Sequence, residues 1–127
     1  MGYYISRTLD LPFEQALKRT VEALTNEGFG ILTEIDVQAT LKKKLDAEFR
    51  PYRILGACNP PFAHKALLAE RHIGIMLPCN VIVQQADGGT EVSAVEPLAA
   101  MAPVQNPALI EVAKEVSIKL RRVIDSL

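Results

Sequence analysis

Asp87-Gly88-Gly89 separates two runs rich in strand-forming residues, Cys79 to Ala86 and Thr90 to Glu96. Glycine accepts the positive φ that a tight chain reversal requires, so the two runs are predicted to pair as an antiparallel hairpin. Changes of hydrophobic period on either side of this fixed point place the other elements.

Tyr3 to Thr8 has the β-branched and aromatic content of a short first strand. Pro12 follows where a first helical residue tolerates a missing N–H, and Phe13, Ala16, Leu17, Val21 and Leu24 form an apolar stripe at helical spacing. Gly28 closes that helix as a left-handed cap. From Phe29 the period becomes two, with Phe29, Ile31, Thr33, Ile35 and Val37 on one face of a second strand. Asp36 then caps a short helix whose Val37, Leu41, Leu45 and Phe49 are spaced by four. Lys42, Lys43 and Lys44 point in different directions on it and read as a solvated surface. Tyr52 to Cys58 is apolar on both faces, as in a central strand. Pro60 and Pro61 open another helix through Ala63, Ala66, Leu67 and Glu70, whereas Ile73 to Leu77 is too short to classify as strand or tight connection. After a Pro- and Ala-rich connection, Asn106 and Pro107 cap and start a closing helix with Leu109, Val112, Ala113, Val116, Leu120, Val123 and Leu127 as its apolar face.

The order β-α-β-α-β-α-β-β-α predicts an α+β fold, with a mixed, largely antiparallel sheet of about five strands and helices mainly on one face. A length of 127 residues suits one domain, residues 1–127. Ile110, Ile118 and Ile124 widen the last helix's apolar face beyond the needs of one sheet, which predicts a homodimer.

Composition narrows the function classes. With 14 Lys+Arg against 15 Asp+Glu and few aromatics, there is neither a field for a polyanion nor a stacking platform, so no nucleic-acid partner is expected. The longest uncharged apolar stretch, Ile73 to Ala86, is interrupted by Pro78, Asn80, Gln84 and Gln85, so no membrane partner is expected. The N-terminal residues lack a secretion signal, which gives a cytoplasmic expectation. No Ser-His-Asp order, Walker loop or dinucleotide fingerprint occurs, and Gly28-Phe29-Gly30 precedes a strand rather than following one. Glu34 and Asp36 share a strand face, more simply read as a polar face in water than as acid-base partners.

Two local sequences each put a thiol beside an amide and a proline at a strand boundary: Cys58-Asn59-Pro60 and Pro78-Cys79-Asn80. His64 lies one turn into the helix after the first. Strand ends hold many binding groups, because a rigid sheet positions side chains that remain accessible. The functional reading is a shared pocket of Cys58, Asn59, His64, Cys79 and Asn80 for a small ligand. The plain alternative makes both thiols small buried hydrophobes and both amides turn formers. The 21-residue separation and the absence of a Cys-x-x-Cys pair give no metal signature, and the sequence leaves any cofactor unknown. A parallel crossover after Cys58 would put the thiols at opposite sheet edges, about 20 Å apart; an extended return through Arg71 to Pro78 would bring them to one edge. Both paths are open.

The chain resembles the domain of unknown function 302 family through Gly28 to Val37 with its lysine-rich helix, Tyr52 to Pro60, and Leu77 to Val81. The resemblance implies a small α+β domain and a plausible dimer, with no activity, cofactor or catalytic residue to transfer. Three functional readings follow: a dimeric small-ligand module, which is favoured; a structural or interaction module; and a thiol-dependent enzyme or redox sensor. Whether the protein is an enzyme stays open at this stage.

Overall fold

The computed structural model describes residues 2–127. Among these residues are five strands, β1 (Tyr4–Leu9), β2 (Gly30–Asp36), β3 (Tyr52–Cys58), β4 (Cys79–Ala86) and β5 (Gly89–Val95), and five helices. The helices are α1 (Phe13–Asn26), α2 (Val37–Leu45), α3 (Pro60–Ala69), α4 (Pro97–Met101) and α5 (Pro107–Asp125). The sheet order is β1-β5-β4-β3-β2, and each neighbouring pair is antiparallel. The α+β class and element order are those expected. The sheet is antiparallel throughout rather than mixed, because the segment between α3 and β4 returns the chain to the end where β3 stopped. Ile73–Met76 forms a 3₁₀ turn in that return, and α4 occupies part of the Pro- and Ala-rich connection.

The hairpin closes as its glycines require. Ala86 pairs with Gly89, with Asp87 and Gly88 as the two linking residues, and both glycines have positive φ. A Cβ at Gly89 would collide with the Leu9 carbonyl, so the turn also fits closely beneath the end of β1.

One sheet face is covered. Leu55, Val81, Val83, Val92 and Ala94 point to it and pack under Ala16, Leu17, Ala23 and Leu24 of α1 and Val116, Leu120, Val123 and Ile124 of α5. A second cluster, Ala66, Ile73, Met101, Leu109 and Ala113, joins α3, α4 and the first half of α5 beyond the sheet. The breadth of α5 is thus largely used inside the chain. Ile124 is buried and Ile110 half-buried, leaving Ile118 exposed.

Two elements depart from simple periodicity. The register of β2 shifts between Ile31 and Thr33, so Leu32 has no cross-strand partner and stands 65% exposed. Ile31 therefore faces the helices with Ala57, whereas Ile35 pairs with Ile54 on the open face and is exposed. The same slip turns Glu34 and Asp36 to the side of Arg53, which forms ion pairs with both. Helix α2 ends at Leu45 with Asp46 left-handed, so Phe49 lies past it, beside Tyr52 and under the Arg50 guanidinium. No residue of α2 is buried.

A buried carboxylate ties α4 to α5. Glu96 is 2% exposed; its Oε2 accepts from Ser117 Oγ (3.2 Å) and Arg121 Nη2 (2.6 Å), and its Oε1 caps α4 at Leu98 N (3.1 Å). Removing the carboxylate strands a buried hydroxyl and an amide, whereas removing the half-exposed Arg121 leaves its place to water. Glu96→Ala is expected to lose about 2–3 kcal/mol in chemical denaturation, and Arg121→Ala about 1 kcal/mol or less. Equal losses, or a larger loss for Arg121→Ala, would refute this ordering.

Candidate functional site

The ends of β3 and β4 meet. Ala57 pairs with Cys79, which puts Cys58 one residue away on the neighbouring strand. Gly56 makes this approach possible, since a Cβ there would strike Thr33 Oγ1 and come within 2.8 Å of Pro78 Cγ. Beyond the strand ends, α3 and the first half of α5 part from the sheet and leave a cavity of about 320 Å³. Cys58, Asn59 and Cys79 line it. The rest of the wall is apolar, with Phe29, Phe62, Met101, Val112 and Val116 prominent and alanines at 57, 63, 66 and 113. Leu32, the bulge residue of β2, and Leu67 also contribute, and both are exposed.

Asn59 is fixed from outside the cavity. Its Nδ2 donates to the Glu27 carbonyl (3.1 Å), and the Glu27 carboxylate receives Arg122 of α5 at 3.0–3.1 Å. Gly28 lies between them with φ +87°, where a Cβ would come 3.2 Å from Asn59 Nδ2. Asn59 also occupies the N-cap of α3 without capping it through its side chain. Pro60 and Pro61 have no N–H to offer, and the N–H groups of Phe62 and Ala63 bond to the Asn59 backbone oxygen instead.

The other predicted residues lie elsewhere. Asn80 follows Cys79 in a strand, so its side chain points to the opposite sheet face, where it is exposed and borders a separate groove with Tyr3, Tyr4 and Tyr52. His64 is exposed on α3 and does not line the cavity. Cys58, Asn59 and Cys79 are therefore brought together, and Asn80 and His64 are not. Among the described residues, no group of three or more His, Cys, Asp or Glu side chains is arranged to hold a metal ion, and no helix is long and apolar enough to cross a membrane. Sequence reasoning missed Phe62, Met101 and Val112. The helical spacing of Val112 with Val116 was visible, but its half-buried position over a void was not.

The chemistry of Cys79 is that of a half-buried thiol. Burial, with a smaller contribution from Cys58, pushes its pKa up to about 11. The folded state thus holds the proton more tightly than the unfolded chain, whose thiol titrates near 9. The resulting stability is fully present below pH 9 and is lost as pH rises toward 11. Cys79 in the native protein is expected to resist iodoacetamide at pH 7.5 and to react when the pH approaches 11 or the chain is denatured, as followed by mass spectrometry. Alkylation at neutral pH as fast as a free thiol would contradict this placement.

Comparisons with known proteins agree on kinship and carry no activity. No curated protein matches. Among solved structures, the crystal structure of the uncharacterized conserved protein DUF302 from Bacillus stearothermophilus superposes with a TM-score of 0.92 at 28% identity, covering 98% of both chains. The family model for the domain of unknown function DUF302 matches residues 5–127, and the chain belongs to that family.

Proposed function

We propose that the chain is a binding module for small apolar molecules, held in the cavity at the adjoining ends of β3 and β4. The observation that carries this reading is an apolar void of about 320 Å³ that opens beside Leu32 and Leu67 and has the Asn59 amide on its wall. That volume is at the lower end of small-molecule sites, and such sites are mostly apolar with a few placed polar groups. Ala63, Ala66 and Ala113 keep the space open, where leucine at any of them would occupy it. A thiol enzyme is less well supported, since the Cys79 thiol is protonated at neutral pH and His64 lies outside the cavity.

N-phenyl-1-naphthylamine, an uncharged dye that fluoresces in apolar surroundings, is expected to bind saturably with one site per chain. Ala63→Phe, which fills the cavity from a half-buried position, is expected to weaken binding at least tenfold while keeping the native circular dichroism. Ala113→Leu serves as a second filling variant. Absence of saturable binding to the unaltered protein, or undiminished binding in both variants, refutes the reading.

The module is further proposed to act as a homodimer through the open sheet face. Tyr3 and Tyr4 form an edge-to-face pair beside a groove of about 450 Å³ lined by Tyr52, Ile82 and Ser93. A ridge next to a groove on one surface lets a two-fold-related copy fill each with the other. Light scattering at micromolar concentration is expected to give a dimer that Ile82→Lys converts to monomer. A monomeric unaltered protein removes the dimer and leaves the cavity reading intact.

A further inference from the structure

Building on the cavity reading, we infer that its ligand is an uncharged, largely hydrocarbon molecule bearing a hydrogen-bond donor, which it presents to Asn59 Oδ1. Asn59 is 8% exposed, and among the described residues no donor reaches its Oδ1. The cause is local sequence. An asparagine at a helix N-cap ordinarily accepts from the N–H two or three residues on. Here Pro60 removes one N–H and Pro61 the next, and the Phe62 N–H is taken by the Asn59 backbone oxygen at 3.1 Å. The Glu27 carbonyl accepts from Nδ2 and so fixes which end of the amide is the donor. The oxygen is left without a protein partner on a wall that is otherwise hydrocarbon and thiol.

Among the described residues no side-chain oxygen is both fully buried and unpartnered, so Asn59 Oδ1 is reached by solvent, and a ligand donor takes the place of that solvent. The polarity of the site is one-sided. Among the described residues no side-chain N–H or hydroxyl lines the cavity apart from the Asn59 amide, whose Nδ2 is already engaged, so an ether or ketone gains no comparable partner. Among the described residues no charged side chain lines it either, and an ion taken from water into such a wall carries a heavy desolvation penalty. Lys65 and Lys119 stand over the Phe62 ring at 5.5 and 6.0 Å, but Lys119 is near Glu27 (4.0 Å) and Lys65 is in water, where its attraction for an anion is screened. For size, a cavity of about 150 Å³ admits benzene, so this one takes a fused bicyclic body or its aliphatic equivalent.

Indole, 1-methylindole and indole-3-carboxylate are suitable probes, and a chain without tryptophan lets indole fluorescence be read directly. At pH 7.5 the expected order is indole about tenfold tighter than 1-methylindole, which cannot donate, with indole-3-carboxylate weakest. Asn59→Leu is expected to remove the preference for indole over 1-methylindole. If that variant does not fold, the order measured on the unaltered protein decides. Equal binding of indole and 1-methylindole, or tighter binding of the carboxylate, overturns the donor inference. Binding of N-phenyl-1-naphthylamine would then still uphold the cavity. If neither the indoles nor that dye binds, both readings fall.

Discussion

The structure depends on one helix packing against two different partners. Helix α5 has 19 residues and spans about 28 Å, longer than the roughly 23 Å of a seven-residue strand. Its second half buries Val116, Leu120, Val123 and Ile124 against the sheet, as ordinary helix-on-sheet cover. Its first half runs past the strand ends, where Leu109 and Ala113 find Ala66, Ile73 and Met101 instead. The two clusters do not merge, and the void lies where they separate. Glu96 holds the start of α4 to Ser117 and Arg121, so the carboxylate ties the α4 part of the second cluster to the second half of α5.

Most of the fold was legible because its determinants are local. The Asp87-Gly88-Gly89 reversal, the Asn106-Pro107 start and the stripes of α1 and α5 each rest on neighbours within a few residues. The bulge in β2 was not legible. Phe29 to Val37 alternates without interruption in sequence, yet Leu32 drops out of register, and one unpaired residue exchanges the faces of everything after it. The advantage appears only in three dimensions: Glu34 and Asp36 meet Arg53, and Ile31 stays with Ala57 in the core. Spacing by four likewise joined Phe49 to Leu45, although a left-handed Asp46 ends the helix between them.

The same division explains the site. Cys58-Asn59 and Cys79-Asn80 look alike in sequence, but the first pair straddles a strand end and the second lies inside a strand. Alternation within β4 sends Cys79 toward the cavity and Asn80 away from it, whereas the turn into α3 lets Cys58 and Asn59 line one wall. His64 was drawn in by proximity along the chain, yet the helix presents it to water. What brings the two thiols together is a long-range pairing, Ala57 with Cys79, that local pattern could not choose over a parallel crossover.

An apolar void is not neutral for a protein of this size. A closed, empty cavity loses about 24 cal/mol per Å³, so one near 320 Å³ would weigh several kcal/mol against a net stability of the order of 5–15 kcal/mol. The opening beside Leu32 and Leu67 lessens that penalty by admitting solvent, but it leaves large apolar side chains in water. Filling would be simple, since alanines stand at 63, 66 and 113 and one larger aliphatic residue at any of them would take up room. Two prolines deny the Asn59 oxygen the cap that the position ordinarily provides, which leaves solvent as its partner. A wall of small residues and an open apolar rim are unfavourable for the empty protein, its Asn59 oxygen has solvent for a partner, and the proposed donor-bearing apolar ligand would answer all three.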